Sequence, residues 1–385
     1  MSSIVKTRIF SFFATLIIVP IITFGVILFA RGYRPDFGTN KLEPTGILAA
    51  TSHPEGAQVL VNGELKTATN NSLNLPLGEY DVQIKKVGFH TWTKKLKIEK
   101  EAVTRASSFL FANVPTLKAA TTLGAGSPLL SPSLDKVVYL SPNAKKQDLM
   151  LLELSESPLG LLNREPRTLL NLANAKYRLT WSPDSRQILI QSSSSAQLVD
   201  INSGKVSEAS ISLPTILSDW QAKRQDSYQR QFSSLPENLQ SFLASNSAQL
   251  TWSVNDKKIL YTATASATMP EHLSNLLPGS NTQPQSRNLV PNHTYTYDIE
   301  EDRNFDIGTL SENWSWFPTG NHVYRINKNN VQIKEYDNGN EITLFAGNLS
   351  DNFAVPYPSG KQLLVLTNPN PITTLLPNLY IVNLK

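Results

Sequence analysis

Four acidic residues follow an apolar, strand-like run late in the chain. They are Asp298, Glu300, Glu301 and Asp302. Carboxylate oxygens at such close spacing are the ligands that Ca²⁺ prefers. Acidic residues are equally typical of solvated turns that connect strands, and this second interpretation is favoured. A calcium site therefore stays an alternative, and no metal ligand is assigned.

A second set of polar residues recurs at similar positions of a repeated phrase. Asp135, Asp184, Asn255 and Thr319 occupy these positions. A ring of converging carboxylates would suit a glycoside hydrolase or lyase, in which one carboxyl group acts as general acid and a second as base or nucleophile. Short polar side chains also cap tight turns through their own backbone, which is the favoured interpretation.

Tryptophans recur in the same phrase, at Trp181, Trp252 and Trp316. Large aromatic rings at one repeated position are most typical of packing between repeat units. A stacking platform for sugars is the alternative.

The remaining chemistry-bearing residues give no catalytic pattern. The five histidines include no i,i+4 pair and no His-Glu-x-x-His motif, so zinc catalysis is not indicated. The run from Ser192 to Ser195 is a polar turn and not a nucleophile elbow. The chain has no cysteine, which excludes thiol catalysis and disulfides. We predict no catalytic residue, no cofactor and no metal, and hence a protein that is not an enzyme.

Length and charge narrow the class of protein further. The chain has 385 residues, enough for more than one domain, and a net charge of +4 from 35 basic and 31 acidic residues. The basic residues are scattered and form no patch, which argues against nucleic-acid binding.

The N-terminal region contains an uncharged apolar run from Ile9 to Ala30. At about 1.5 Å per residue this run spans about 33 Å, enough to cross a hydrocarbon core of about 30 Å. The run is long for a signal peptide and ends in a poor cleavage site, so an uncleaved signal anchor is favoured over a cleaved signal. Residues 1–8 are predicted to be a cytoplasmic tail, with the bulk of the chain outside the membrane.

Short strands and turns follow a polar stalk predicted at residues 31–45. The segment 46–104 contains, in order, Pro54-Glu55-Gly56-Ala57, Val59-Leu-Val-Asn-Gly63, Leu75-Pro-Leu-Gly-Glu-Tyr-Asp-Val82 and Gly88-Phe-His-Thr-Trp92. These four ordered motifs resemble the PEGA domain family. The resemblance implies a small β-sandwich of the kind found in bacterial surface-associated proteins, and it implies no catalytic activity.

The rest of the chain, residues 109–385, holds five copies of a strand–turn–strand phrase. The copies are centred on Pro132, Pro183, Val254, Pro318 and Pro358. A propeller blade takes about 40 to 50 residues, so two of the four intervals between copies must contain insertions. We predict a β-propeller of five blades, with six as the alternative. The last blade lacks a strand, which residues 110–123 would supply to close the ring.

The phrase is clearest at Trp181-Ser-Pro-Asp184 and Trp252-Ser-Val-Asn255. It resembles the TolB-like, WD-repeat-like propeller family. Many propellers of this kind bind other proteins or glycans, so the resemblance implies a binding role.

Two insertions are predicted, at about 207–247 and 264–292. In the first, residues Pro214 to Asn246 are predicted to be helical, with Ser218-Asp219 and the capping box Ser234-Leu-Pro-Glu237 opening two helices. In the second, Thr268-Met-Pro-Glu271 predicts another helix, and 278–292 has the composition of a mobile loop. The first insertion offers aromatic residues that form either a partner surface or a packing face against a blade: Trp220, Tyr228, Phe232 and Phe242.

These features together predict a mainly β, single-pass protein of the bacterial cell membrane, with most of the chain extracytoplasmic. The predicted function is non-catalytic binding or scaffolding through an envelope protein or glycan partner. A propeller-fold carbohydrate-active enzyme with channel carboxylates and a purely structural surface component are the alternatives.

Overall fold

A computed structural model of the chain describes residues 3–36, 41–143, 146–155, 165–273, 277, 279–370 and 376–385. The chain divides into two compact units. The first contains residues 1–87, 91–110 and 275–283. The second contains residues 88–90, 111–274 and 284–385.

The chain begins with a long apolar helix, α1, which spans Ser3–Ala30. Its segment Phe10–Ala30 is long and apolar enough to cross a membrane, and none of that segment is buried. Pro20 lies inside the helix. A signal sequence near an N-terminus has the same length and composition, so the helix is either a membrane anchor or a signal sequence.

The first unit contains eight strands among its described residues. They are β1 (Tyr33–Asp36), β2 (Lys41–His53), β3 (Gln58–Val61), β4 (Glu64–Ala68), β5 (Asn71–Pro76), β6 (Gly78–Lys85), β7 (Trp92–Ile98) and β8 (Val103–Phe109). One sheet has the order β1-β2-β5, with β8 also paired to β2, and the other has the order β4-β3-β6-β7. Strand β1 pairs with the start of β2, so part of the predicted stalk is a two-stranded ladder.

The strands of this unit alternate between buried and exposed side chains. In β8 every second side chain is buried, and the core includes Leu48, Val59, Val82 and Ile84, each fully buried. Alternation of this kind places one face of each sheet on a shared core, as a β-sandwich requires.

The second unit contains twenty strands among its described residues, and each group of four forms one antiparallel sheet. The first sheet contains β10 (Gly126–Leu130), β11 (Lys136–Asn143), β12 (Lys146–Glu153) and β13 (Arg167–Ala173). The second contains β14 (Arg178–Trp181), β15 (Gln187–Gln191), β16 (Ala196–Asp200) and β17 (Val206–Glu208). The third contains β18 (Ser247–Trp252), β19 (Lys258–Ala263), β20 (His293–Asp298) and β21 (Arg303–Thr309). The fourth contains β22 (Ser315–Trp316), β23 (His322–Asn327), β24 (Asn330–Glu335) and β25 (Ile342–Ala346). The fifth is β26 (Ala354–Pro356), β27 (Gln362–Thr367), β28 (Asn378–Asn383) and β9 (Thr116–Ala119).

The fifth sheet takes its outer strand from the start of the unit. Strand β9 pairs antiparallel with β28, from Thr116 opposite Asn383 to Ala119 opposite Tyr380. The prediction that residues 110–123 would complete the last blade is therefore confirmed. The first and fifth sheets also share one apolar core, which contains Tyr139 and Tyr357. The five sheets are thus the blades of a β-propeller, and we call them blades 1 to 5.

The turn between the first two strands of every blade has the same backbone geometry. The third residue after the start of each turn has a positive φ of 56° to 71°, and its N–H donates to the carbonyl three residues back at 2.8–3.0 Å. These residues are Leu134, Ser185, Asp256, Gly320 and Gly360. A left-handed residue is required at this position, and glycine supplies it at least cost.

The first insertion forms two helices, α2 (Leu213–Ser233) and α3 (Glu237–Asn246). The first helix begins six residues earlier than Ser218-Asp219 predicted, with Ser212 as its N-cap and proline in its first turn. The second helix has Pro236 as its N-cap without a side-chain cap. Ser234 instead donates to the carbonyl of Gln231, at 2.7 Å, so the predicted capping box does not form. The capping motif in the sequence is therefore not used, and packing against the neighbouring blades determines where the helix begins.

The second insertion is held by backbone hydrogen bonds, contrary to the predicted helix and mobile loop. Thr268 forms a bridge with Asn288, and Met269 donates to the carbonyl of Arg287 at 2.8 Å. The predicted helix is absent from the described residues 264–273, while residues 274–276 and 278, which include part of it, lie outside the described residues. Leu289 is buried, which fixes the end of the segment that composition alone presented as mobile.

Candidate binding site

A cavity of about 440 Å³ opens between blade 3 and blade 4. Its walls come mainly from the first two strands of each blade, β18 and β19 of blade 3 and β22 and β23 of blade 4, with one residue from the blade 1 turn. The lining residues are Leu134, Gln249, Thr251, Trp252, Leu260, Tyr261, Thr262, Thr294, Leu310, Asn313, Trp314, Ser315, Trp316 and Tyr324. Its volume lies in the range of about 300–1,000 Å³ that is typical of small-ligand sites.

Two repeated tryptophans form partly exposed walls of this cavity. Trp316 donates its indole N–H to the carbonyl of Thr251 at 3.1 Å, which fixes the ring across the boundary between the two blades. Trp252 packs edge-on against Tyr228 of α2, with ring centroids 5.5 Å apart and an interplanar angle of 78°. Both indoles are therefore oriented by the protein before any ligand arrives.

The cavity wall carries no carboxylate, histidine, lysine or arginine among the described residues. The exposed polar groups at its edge are the side chains of Gln249, Thr251, Asn313 and Ser315. Amide and hydroxyl groups of this kind both donate and accept hydrogen bonds without carrying charge. The cavity thus offers apolar ring faces next to neutral hydrogen-bonding groups.

Three lining residues have a left-handed backbone. The φ angles are 61° at Leu134, 56° at Gln249 and 50° at Asn313. Each belongs to a local feature of the fold: Leu134 to the turn that every blade shares, Gln249 to a bulge in β18, and Asn313 to the end of the short helical turn Leu310–Glu312. Blades 4 and 5 have glycine at the position of Leu134, so this turn does not demand a leucine for its own geometry.

A charged network supports the cavity from behind Trp314. Trp314 donates its indole N–H to Glu312 at 2.9 Å, and Arg325 pairs with Glu312 at 2.7 Å. The Nζ of Lys334 lies 4.2 Å from the centre of the Trp314 ring. Gly308 leaves the space that the Glu312 carboxylate occupies, since an added Cβ would lie 1.9 Å from a carboxylate oxygen.

Burial and pairing shift the pKa values of this network in defined directions. Burial raises the pKa of Glu312, but hydrogen bonds from Trp314 and Arg325 outweigh it and hold that pKa below its usual range. Burial lowers the pKa of Lys334. The negative charge of Glu312 is therefore well supported, and Trp314 is held by ionic groups that do not reach the cavity.

The polar residues repeated in the blade turns stay within their own turns. Asp184 accepts hydrogen bonds from the Ser182 hydroxyl at 2.6 Å and from the Arg186 N–H at 3.2 Å. The Ser182 hydrogen bond outweighs burial and lowers the pKa of Asp184. Asn255 likewise accepts from Ser253 at 2.8 Å.

The other two members of the set are also occupied locally. Asp135 accepts a hydrogen bond from Ser131 at 3.3 Å, and the Thr319 hydroxyl lies 2.8 Å from the Nδ1 atom of His322. These side chains shape turns, as the favoured interpretation predicts, and no ring of them lines the cavity.

The aromatic residues of the first insertion are used mainly for packing. Trp220 is only 4% exposed and lies in a core cluster with Leu189 of blade 2. Phe232 and Phe242 are partly buried against the core of blade 3. Trp220 therefore cannot form the predicted partner surface, because the helices pack against both blades and cover its ring.

Only part of the acidic cluster is the solvated turn that the favoured interpretation predicts: Glu300 is exposed in the turn between β20 and β21, whereas Asp298 and Asp302 are buried. Asp298 is 4% exposed, pairs with Lys258 at 3.3 Å and accepts the backbone N–H groups of Glu300 and Glu301 at 3.0 Å. Asp302 is 1% exposed. Among the described residues, no group of three or more acidic or histidine side chains is arranged to hold a metal ion.

Asp302 lies at the centre of a buried polar cluster. The Tyr297 hydroxyl donates to Asp302 Oδ1 at 2.8 Å, and Arg287 Nη2 lies 2.9 Å from the same oxygen. The other oxygen accepts the backbone N–H groups of His272 and Leu273, at 2.9 and 3.0 Å. Burial raises the pKa of Asp302, but these donors outweigh it and lower that pKa. The cluster attaches the second insertion to blade 3.

The Pro54-Glu55-Gly56-Ala57 motif forms a turn of the first unit. Its first peptide bond, His53–Pro54, is cis. Ala57 is fully buried and its N–H donates to Thr69 at 3.0 Å. Lys86 donates to the carbonyl of Glu55 at 2.6 Å. The motif therefore has a structural role, and Glu55 contributes its backbone.

The repeated phrase predicted Trp252 and Trp316 at equivalent positions, with packing between blades favoured and a sugar platform as the alternative, and it did not predict the rest of the cavity lining. Trp314 lies two residues before Trp316 in the same copy of the phrase, and this second tryptophan could have indicated that the position lines a cavity. Gln249 and Asn313 lie outside the repeated phrase: Gln249 is at a bulge inside β18, and Asn313 ends the short helical turn Leu310–Glu312.

Residues 45–110 match the family model for the PEGA domain. A comparison with curated proteins gave no match. Solved structures with similarity include TolB from Acinetobacter baumannii, at 13% identity and a TM-score of 0.23, covering 79% of this chain and 59% of that one. The putative TolB from Agrobacterium tumefaciens has 13% identity and a TM-score of 0.21, covering 89% of this chain and 99% of that one.

The acylaminoacyl peptidase of Pyrococcus horikoshii has 12% identity and a TM-score of 0.19, covering 64% of this chain and 36% of that one. The chain thus covers less than two thirds of the Acinetobacter protein and about a third of the peptidase. At these TM-scores the similarity carries no argument, and the propeller assignment depends on the strand pairing of the chain itself.

Proposed function

We propose that this protein is a non-catalytic binding protein of the bacterial cell envelope, anchored by α1, whose propeller holds a ligand in the cavity between blades 3 and 4. The observation that carries the proposal is the cavity itself, with partly exposed Trp252 and Trp316 beside uncharged polar groups. Concave, mainly apolar sites with a few polar groups are the usual form of a binding site.

The envelope location is supported by two features of the N-terminal part. Helix α1 has apolar side chains exposed along Phe10–Ala30, which are stable in lipid and unfavourable in water. Residues 45–110 match the PEGA domain, whose resemblance implies a surface-associated protein. In this proposal the chain crosses the membrane once and both compact units lie outside.

That this cavity binds a ligand without acting on it is part of the proposal, and the composition of its wall is the reason for it. General acid–base catalysis needs a positioned group with a suitable pKa, most often histidine or a carboxyl group. The described lining residues include neither type. The repeated turn residues that would have supplied channel carboxylates are hydrogen-bonded in their own turns, as for Asp184 and Ser182.

The test combines protease accessibility with crosslinking in intact cells. Tagged full-length protein should be found in the membrane fraction, and its two units should be cleaved by protease added from outside. Crosslinking followed by purification should recover a specific envelope component. The Trp252→Ala variant should lose that component, while Ile211→Ala should retain it, because Ile211 is 97% exposed and lies outside the cavity.

Two results would contradict this proposal. Protection of both units from external protease would place the bulk of the chain on the wrong side of the membrane. Recovery of the same material by wild type and the Trp252→Ala variant would show that the cavity is not the binding site.

A further inference from the structure

We infer that the ligand of the cavity between blades 3 and 4 is an uncharged saccharide, an inference that rests on the proposed binding function. A pyranose ring has an apolar C–H face and an edge of hydroxyl groups. A site for it therefore needs aromatic faces beside neutral donors and acceptors. The cavity offers both at its open side.

The aromatic part of this site is supplied by two equivalent positions of neighbouring blades. Trp252 ends β18 and Trp316 ends β22. Both indoles are half-buried, so part of each ring remains available. The contact with Tyr228 and the hydrogen bond to Thr251 hold the rings in place, which reduces the entropy that a ligand must overcome on binding.

The polar part is supplied at the edge of the cavity. Gln249, Thr251, Asn313 and Ser315 are all exposed and all neutral. Amides and hydroxyl groups satisfy sugar hydroxyl groups, which act as both donor and acceptor. A purely apolar ligand would make no use of these groups, whereas sugar hydroxyl groups can replace the water that they bind.

The absence of charge from the described cavity wall selects against ionic ligands. A carboxylate, phosphate or ammonium group would lose its hydration on entering and would find no opposite charge there. The nearest network of charged groups is committed to its own pairing, as Glu312 is to Arg325. The cavity therefore favours a neutral sugar over acidic polysaccharides and over charged peptides.

Leu134 adds an apolar residue from the turn of blade 1 to the lining of the cavity. Leu134 and Asn313 both have left-handed conformations and both line the cavity. Leu134 is 39% exposed, although a leucine in this conformation would be more stable as glycine. Its side chain adds an apolar group to the lining of the cavity, at a turn position that is Ser185 in blade 2, Asp256 in blade 3 and glycine in blades 4 and 5.

The experiment uses the full chain, solubilised in a detergent that has no sugar headgroup. Cellohexaose, chitohexaose and maltohexaose are titrated separately, and binding is measured by calorimetry and by the change in tryptophan fluorescence. At least one of these neutral oligosaccharides should bind saturably. Trp252→Ala and Trp316→Ala should each weaken that binding by about tenfold or more, since anchors of this kind dominate affinity.

A second variant keeps the test valid if the tryptophan variants do not fold. Ser315 is exposed at the cavity edge, and Ser315→Tyr should fill the opening without disturbing a buried residue. This variant should keep the wild-type melting temperature and lose binding. The Ile211→Ala variant should bind as wild type does.

Three results would overturn the inference. The first is no saturable binding of any of the three oligosaccharides by the folded protein. The second is binding that Ser315→Tyr leaves unchanged. The third is tighter binding of an acidic probe, polygalacturonate fragments, than of every neutral one. If crosslinking still recovered an envelope protein in a Trp252-dependent manner, the binding function would stand and only the saccharide class would be wrong.

Discussion

Trp316 donates its indole N–H to the backbone carbonyl of Thr251, at 3.1 Å, across the boundary between blade 4 and blade 3. The same contact occurs between blade 2 and blade 1, where Trp181 donates to the carbonyl of Leu129 at 3.1 Å. In both cases the acceptor belongs to the inner strand of the preceding blade. The repeated tryptophan is therefore a hydrogen-bonded link between blades as well as a packing residue.

We expect Trp181→Phe and Trp316→Phe to destabilise the protein more than Trp252→Phe does. All three changes shrink the ring equally, but the first two also leave a backbone carbonyl without its donor. The extra cost should be about 1 kcal/mol, the net contribution of one hydrogen bond. Urea unfolding of the three variants measures it. Equal losses in all three would show that only ring size matters.

The contact between Tyr228 and Trp252 is expected to couple the first insertion to the cavity. The two rings meet edge to face at 5.5 Å, a favoured aromatic geometry. A double-mutant cycle with Tyr228→Ala and Trp252→Ala should give a coupling free energy of about 0.5–1.5 kcal/mol in urea unfolding. The Tyr228→Ala variant should also change the fluorescence of Trp252, because it removes the ring that contacts this indole.

The matched control for that cycle uses Lys223, an exposed residue of the same helix. Lys223→Ala combined with Trp252→Ala should be additive, because Lys223 pairs with Asp219 at the surface. Coupling of similar size in both cycles would contradict a direct contact between the rings.

The blades could be predicted from the sequence because their turns are built from local chemistry. Ser182 and Asp184 cap one turn through hydrogen bonds within five residues, and the residue with positive φ follows directly at Ser185. The missing strand was predicted from the architecture instead, since a propeller leaves its last sheet open until an N-terminal strand such as β9 completes it.

The buried polar cluster and the cavity could not be predicted, because neither set of residues follows a repeated motif. Asp302 pairs with Arg287, which lies in a segment that composition presented as a mobile loop. Leu134 reaches the cavity from blade 1, more than a hundred residues before Gln249. The predicted helical span 214–246 matches α2 and α3 closely, but the predicted caps are wrong, since α2 begins at Leu213 and α3 follows Pro236 without a side-chain cap.

Removal of Trp220 should loosen the helices that pack against blades 2 and 3. The ring is 4% exposed and contacts the core of blade 2, so Trp220→Ala should cost about 3–5 kcal/mol in urea unfolding. Limited proteolysis should then cut within α2 before the blades are cleaved. The exposed Arg224 gives a control, since Arg224→Ala should change stability by less than about 0.5 kcal/mol. A small effect of Trp220→Ala would show that the insertion is not part of the propeller core.

The charge of Asp302 should make stability fall in acid. Its donors lower its pKa in the folded protein below the ordinary value of 3.8, so the unfolded state binds the proton more tightly. The resulting stabilisation is fully present above pH 3.8 and is lost as the pH falls through the lowered pKa. Asp302→Asn should be less stable than wild type at pH 7, because Arg287 is left without its carboxylate, by about 3–5 kcal/mol.

That difference should narrow as the pH is lowered from 5 towards about 2, because the wild-type carboxyl group then becomes protonated as well. Urea unfolding of both proteins across this range measures the narrowing. Asp226→Asn serves as the control, since Asp226 is exposed on α2 and its curve should run parallel to that of wild type. A gap between wild type and Asp302→Asn that stays constant with pH would mean that the carboxylate charge does not stabilise the cluster, and that Asp302 acts only through the shape of its hydrogen bonds.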